Sequence, residues 1–139
     1  MNLKSSSLRL SLVIALVIMP PHLNVSGVAR IKDSKPKPLL VELDKSGSDY
    51  QRVLKGPPET VTMESGLVVL APTKSVGKHS TKNYEEALIV LAGSGEMRIT
   101  GGPTLKLKQN VVAYCPPSTE HDVVNTGSGP LRYLYLVAK

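Results

Sequence analysis

Three side chains of this 139-residue chain are of the types that bind a divalent metal ion, although they lie far apart in the sequence. Apart from His22, the histidines are His79 and His121, and Glu86 opens the otherwise apolar run 86–92. An ionised carboxylate at the start of a buried strand needs a partner, because burying such a charge alone is costly. A divalent cation held by two neutral imidazoles and this carboxylate provides that partner. The alternative is that Glu86 hydrogen-bonds one of the histidines without a metal.

Such a ligand set leaves part of the metal's coordination sphere free. Two histidines and one carboxylate form a facial triad, whose open positions accept water, oxygen or a small molecule. Fe(II) suits this set, and Mn, Ni, Cu and Zn are also compatible with it. The sequence therefore predicts a site for a divalent metal ion. It shows no general base besides the ligands and identifies no catalytic residue.

The segments that carry these residues have the pattern of short β-strands. Eleven glycines and eleven prolines interrupt the chain. In 105–108, Leu and Lys alternate with the period of two that is typical of a half-buried strand. No long amphipathic helix is evident, so we expect an all-β sandwich or barrel, with Ser65-Gly66 as a turn. The predicted strands are 38–44, 50–54, 60–63, 67–70, 86–92, 96–100, 105–108, 111–115, 121–125 and 131–137.

Two stretches of the chain resemble the two signature motifs of the cupin superfamily, in its small single-domain form with one conserved barrel. The residues that carry the resemblance are Gly77, His79, Glu86, Gly93, Pro116, His121 and Asn125. The resemblance implies an all-β double-stranded β-helix, or jelly-roll barrel, with His79, Glu86 and His121 as metal ligands. Six residues separate Glu86 from Gly93, and this spacing selects Glu86 rather than Glu85 as the acidic ligand.

Four positions depart from the motifs as the family usually has them. Thr81 stands where a second histidine is usual, which removes one of the expected ligands. Thr73, Asn110 and Ser118 stand where glycine is usual, and we expect these changes to affect only the detail of turns. In an extended segment Thr81 shares a face with His79, so its hydroxyl is a candidate to hold a metal-bound water or to contact a substrate.

Further candidates for substrate contact or for support of the ligands lie in the late strands. Tyr114, Tyr133 and Tyr135 each carry a hydroxyl that is able to reach a pocket. Alternatively, their rings fill a core that has no Phe or Trp. Asn125 shares a face with His121, and its alternative role is to hold a loop.

The first 29 residues have the features of an export signal. Lys4 and Arg9 precede the apolar run 10–19. Gly-Val-Ala at 27–29 fits a small-residue cleavage site. The run is about half the roughly 20 residues that a spanning helix needs, so we expect no stable membrane anchor. We predict a periplasmic or secreted protein with a signal peptide at 1–29, an N-terminal arm and edge strands at 30–58, and a cupin barrel at 59–139.

Charge and cysteine content exclude some other classes. The net charge of +6 falls to +4 when Lys4 and Arg9 leave with the signal. The loose basic run at 32–37 comes without an aromatic-rich RNA-binding motif, so no nucleic-acid partner is expected. Cys115 is the only cysteine, which excludes an intramolecular disulfide, and its apolar neighbours predict a buried thiol.

Three functions stay open on the sequence, and the third of them is a structural or storage-like exported protein. The first is a metal-dependent enzyme that acts on a small organic molecule by dioxygenase-type or isomerase-type chemistry. The alternative is a non-catalytic module that binds a small ligand or a sugar without metal, which the loss of the second histidine favours. The resemblance also implies a homodimer, and the segment 38–54 is the candidate contact because an exposed strand edge pairs readily.

Overall fold

Eight β-strands form the regular structure of residues 35–139, the part of the chain that the computed structural model describes. The predicted signal peptide at 1–29 and the beginning of the arm lie outside the described residues. Within residues 35–139 no helix is long and apolar enough to cross a membrane. The strands are β1 (Tyr50–Lys55), β2 (Glu64–Leu70), β3 (Glu85–Ala92), β4 (Ser94–Ile99), β5 (Thr104–Lys108), β6 (Val112–Cys115), β7 (His121–Val124) and β8 (Leu131–Ala138).

The strands form two antiparallel sheets. The larger has the order β1-β2-β8-β3-β6, and the smaller has the order β5-β4-β7. The last strand therefore lies between the second and the third, and each of the two sheets contains neighbours that are distant in sequence. This arrangement confirms the all-β prediction.

Within the described part of the chain, one cluster of buried side chains joins the two sheets. It draws on six strands, β3 to β8, and it is almost wholly aliphatic, with Tyr133 as its aromatic member. Leu107 is buried while Lys106 and Lys108 are exposed, as the alternation in 105–108 predicts. The cluster consists of Leu88, Val90, Met97, Leu107, Ala113, Cys115, Val123, Leu131 and Tyr133.

The structure corrects two predictions around β2. Residues 60–62 form bends and Met63 has no regular structure, so no strand lies here, and the Thr60 hydroxyl donates to the carbonyl of Met63. Ser65 and Gly66, predicted to be a turn, lie inside β2. Gly66 is needed there because a Cβ atom would lie 2.6 Å from the Tyr135 ring and 2.8 Å from the Tyr50 ring. Glycine within a strand often marks such a close approach.

The prediction of a strand at 38–44 is also wrong. This segment has no regular secondary structure, and side chains of the larger sheet hold it instead of a backbone ladder. Gln51 bonds to the carbonyl of Glu42 and to the N–H of Asp44, and Arg132 donates to the carbonyl of Asp44 at 2.9 Å. The segment therefore packs on the larger sheet, away from the core cluster.

Four of the described residues adopt left-handed backbone conformations without being glycine, and Lys82 is the one of them that lies outside the motif positions discussed above. The φ angles are 68° at Thr73, 66° at Asn110 and 59° at Ser118. These are the positions at which the motifs usually have glycine. The turns thus keep a conformation suited to glycine, which costs an ordinary residue roughly 1–2 kcal/mol.

Candidate metal centre

The backbone brings the two histidines together. His79 lies in the connection between β2 and β3, and His121 begins β7. Each donates its backbone N–H to the carbonyl of the other at 2.9 Å, as an isolated antiparallel bridge. Their ring centroids are 4.5 Å apart. Residues directly opposite in an antiparallel pair point to the same face, so both imidazoles face the space between the sheets.

Glu86 reaches the same point from the other sheet. In β3 the residues Glu86, Leu88 and Val90 are buried in alternation, whereas Glu85 is exposed. Glu86 is 6% exposed and His121 is 0% exposed, while His79 is exposed to solvent. One ligand atom of each of the three side chains lies within 4.8 Å of the others. The structure therefore assembles the three candidate ligands into one cluster that is open on the His79 side.

Two backbone carbonyls set the tautomers of the rings. His79 Nδ1 lies 2.9 Å from the carbonyl of Gly77, and His121 Nδ1 lies 3.1 Å from the carbonyl of Thr119. A carbonyl only accepts hydrogen bonds, so each Nδ1 carries the hydrogen. Each Nε2 of a neutral ring is left with a free lone pair, which is the state that binds a metal. Sequence reasoning missed these partners because a main-chain carbonyl leaves no trace in residue type.

The contact between Glu86 and His121 is unfavourable for a neutral ring without a cation. Oε2 of Glu86 lies 3.2 Å from Nε2 of His121, yet neither buried atom has a hydrogen-bond partner among the described residues. A lone pair facing a carboxylate oxygen is repulsive unless a proton or a metal ion lies between them. The contact with Glu86 accordingly raises the pKa of His121 above its ordinary value. Two unsatisfied buried atoms of this chemistry fit a divalent cation.

Cys115 lies behind the cluster. The thiol is 0% exposed, as the sequence predicts, and Sγ is 3.3 Å from Nδ1 of His121. Burial raises the pKa of the thiol, with a smaller contribution from the charge of Glu86. The thiol therefore stays protonated and packs against the ring, while Nε2 faces the opposite way.

A cavity of about 260 Å³ lies in front of His79 and Glu86. Thr81 contributes to its wall, but its hydroxyl donates to the carbonyl of Tyr84 at 2.8 Å, so it is free only to accept. The remaining wall is mostly apolar and comes from both sheets. It consists of Val68, Val76, Val123, Val137, Tyr133 and Tyr135.

Two of the candidate supporting residues lie outside this cavity. The Tyr114 side chain is 54% exposed on the outer face of β6, where its hydroxyl donates to Glu85 at 3.1 Å. Asn125 is 1% exposed, and its amide nitrogen donates to the carbonyls of Leu70 and Gly129. Tyr114 thus does not face the cavity, and Asn125 holds a loop.

Comparison with known families decides the identity of the fold. The cupin domain family profile matches residues 66–137, which is more than half of the chain. The chain belongs to the cupin family. All three clustered side chains of this cupin lie within the matched range. No curated protein matches the chain.

Solved cupin structures share the fold. A cupin 2 conserved barrel domain protein from Salinispora arenicola is 23% identical, with 74% of this chain and 90% of that chain covered and a TM-score of 0.60. The cupin domain of Schizosaccharomyces pombe Cnp3 is 19% identical, with 65% and 63% covered and a TM-score of 0.59. A Bacteroides fragilis cupin protein is 21% identical, with 76% and 86% covered and a TM-score of 0.56. These similarities confirm the double-stranded β-helix.

Proposed function

We propose that this cupin binds one divalent metal ion through His79, Glu86 and His121 and acts on a small organic molecule in the adjoining cavity. The observation that carries the proposal is the 3.2 Å contact between Glu86 Oε2 and His121 Nε2, two buried atoms without a hydrogen-bond partner among the described residues. Without a metal this pair costs stability whenever His121 is neutral, whereas a bound cation satisfies both atoms at once.

Some side chains of the site would bind the metal ion, and others would contact the substrate. His79 and His121 present neutral nitrogens, and Glu86 supplies one negative charge, so an ion of charge +2 keeps a net charge of +1. A metal bound in this way acts as a Lewis acid on a coordinated oxygen. Four valines make much of the wall apolar, and Thr81 offers an acceptor beside the ligands. Dioxygenase-type and isomerase-type reactions are both compatible with these roles.

Metal content tests the proposal. Residues 30–139 are purified, stripped of metal, and titrated separately with Fe(II), Mn(II), Ni(II), Cu(II) and Zn(II). We expect binding of one ion per chain. His79→Ala and Glu86→Gln should each weaken it by about 10-fold or more. Glu85→Gln is the matched control, because Glu85 is the neighbouring carboxylate on the exposed side of β3 and should leave binding unchanged.

The competing function is a module that binds a small molecule without metal. Two observations favour it: Thr81 replaces the usual second histidine, and His79 is exposed. A stripped wild-type chain that takes up no ion, yet binds small organic molecules in the cavity, would establish this function in place of the metal-dependent one.

Export is part of the proposal. It is supported by Lys4 and Arg9 beside the apolar run 10–19 and by the small residues at 27–29. Expression of the full chain in a bacterium with separated periplasm and medium tests it. We expect a mature chain that begins at Arg30 outside the cytoplasm. A full-length chain that stays in the cytoplasm would contradict export.

We also propose a homodimer formed through the N-terminal part of the chain. β1 is an edge strand of the larger sheet, and its neighbours Leu39, Leu40, Val61 and Met63 are exposed hydrophobic side chains. Exposed edges and apolar patches favour association. Sedimentation of residues 30–139 at increasing concentration tests the proposal, and a monomer throughout would contradict it.

A further inference from the structure

The side chains that line the cavity indicate the charge of the small molecule that it binds. Besides His79 and Glu86, its described lining consists of four valines, two tyrosines and Thr81. Burial raises the pKa values of Tyr133 and Tyr135 far above 10, so both phenols are neutral. A second charge on a ligand would therefore lie against valines and neutral hydroxyls, which is costly.

Charged side chains near the cavity do not make a second charge on the ligand less costly. Arg52 and Glu64 lie on β1 and β2 close to Tyr135, and they pair with each other at 2.7 Å. Both are about half exposed to solvent. The guanidinium is therefore already neutralised by a carboxylate and does not offer a free cation to a ligand in the cavity.

A pair of tyrosines lies at the β1 side of the cavity, and Tyr135 is the member that lines it. The hydroxyls of Tyr50 and Tyr135 are 2.9 Å apart, and the two rings lie over Gly66. Because Gly66 has no side chain, both rings have room over the sheet, and the Tyr135 ring forms this part of the cavity wall. The cavity volume of about 260 Å³ equals about eight or nine water molecules at roughly 30 Å³ each.

We infer that the cavity takes a compact, largely apolar monoanion of about ten non-hydrogen atoms, with its single anionic oxygen group directed at the metal centre. This inference rests on the proposed function, since the head group needs the net positive charge of the loaded site. The Tyr50–Tyr135 pair sets the upper limit of ligand length. Tyr135 is thus a specificity-determining residue, separate from the metal ligands.

Three carboxylates test the inference by calorimetry on residues 30–139 loaded with the metal that the titration identifies. Benzoate has the inferred size, terephthalate adds a second charge at the far end, and 4-phenylbenzoate adds length without charge. We expect benzoate to bind at least about 10-fold more tightly than either of the others. We expect the metal-free chain to bind benzoate at least about 10-fold more weakly than the loaded chain.

Variants of the tyrosine pair test the limit on ligand length separately from the limit on ligand charge. Tyr135→Ala should raise the affinity for 4-phenylbenzoate about 10-fold relative to benzoate and leave terephthalate weak. Tyr114→Ala is the matched control, because Tyr114 lies on the outer face, and should change none of the three. Tyr50→Phe removes the hydroxyl that holds Tyr135 and should shift the preference in the same direction if Tyr135→Ala does not fold.

The outcomes distinguish this inference from the proposed function. If no metal binds, the proposed function and the inference about the ligand are both wrong. If metal binds while terephthalate or 4-phenylbenzoate binds as tightly as benzoate, or if benzoate does not bind, the ligand class is wrong and the metal site stands. Equal benzoate binding by the loaded and metal-free chains would overturn the assigned direction of the head group.

Discussion

His79 and His121 are joined by two reciprocal backbone hydrogen bonds of 2.9 Å each. The bridge holds the rings side by side, with an angle of 55° between their planes, and needs no metal to do so. Carbonyls two residues upstream of each histidine orient the rings further. The candidate centre is therefore preorganised by the main chain, and its electrostatic conflict is confined to the contact between His121 and Glu86.

The substitution Glu86→Gln should stabilise the metal-free protein while it weakens metal binding. The amide that it introduces is able to donate to Nε2 of neutral His121, which removes the repulsion between two unsatisfied atoms. At about pH 9, with a chelator present, we expect the free energy of unfolding in urea to rise by about 1 kcal/mol. Glu85→Gln serves as the control and should change it by less than about 0.5 kcal/mol. A less stable Glu86→Gln variant would show that the contact is favourable as it stands.

The stability of the metal-free protein should fall as pH rises. Glu86 raises the pKa of His121 above 6.5, so protonated His121 favours the folded state. This contribution is fully present below the unfolded value and is lost as pH rises through the higher folded pKa. Urea unfolding in chelator between about pH 6 and about pH 9 measures it, and Glu86→Gln should remove most of the slope. With saturating metal the trend should reverse, because imidazoles bind metal only when they are neutral. A flat profile without metal would contradict the assigned contact.

Restoring glycine at Thr73 should stabilise the fold. A β-branched residue with φ of 68° is strained, and glycine adopts this conformation without that cost. We expect Thr73→Gly to raise the free energy of unfolding by about 1 kcal/mol. Thr104→Gly, in the extended strand β5, should lower it by roughly 0.5–1 kcal/mol. The same sign for both variants would mean that the left-handed turn carries no strain.

Adding one methyl group at Gly66 should destabilise the protein. A Cβ atom there meets the rings of Tyr135 at 2.6 Å and Tyr50 at 2.8 Å. We expect Gly66→Ala to cost about 1–3 kcal/mol in thermal or urea unfolding, because both rings must move. Gly129→Ala is the control, since nothing lies within 4 Å of its Cβ position, and should stay within about 0.5 kcal/mol of wild type. A neutral Gly66→Ala would show that the tyrosine pair is loosely held.

Local pattern identified most of the strands but not their ends. The alternation of 105–108 and the apolar run at 86–92 both correspond to observed strands. The errors occurred where tertiary contacts override local signals: Gly66 looked like a turn but lies under two aromatic rings. Segment 38–44 looked like a strand but is held by Gln51 and Arg132. Residue type does not report a partner that is distant in the chain.

Sequence alone determined the family of this protein, its β architecture and the three side chains able to share a metal ion, because residue type and motif spacing encode these features. Only the tertiary structure decided that the two imidazoles lie in one backbone bridge and carry hydrogen on Nδ1. It also decided that Glu86 faces His121 without a hydrogen bond and that the hydroxyl of Tyr135, which lines the cavity, pairs with that of Tyr50. These relationships depend on atoms of the main chain and on residues up to 85 positions apart, whose distances are set only when the two sheets pack.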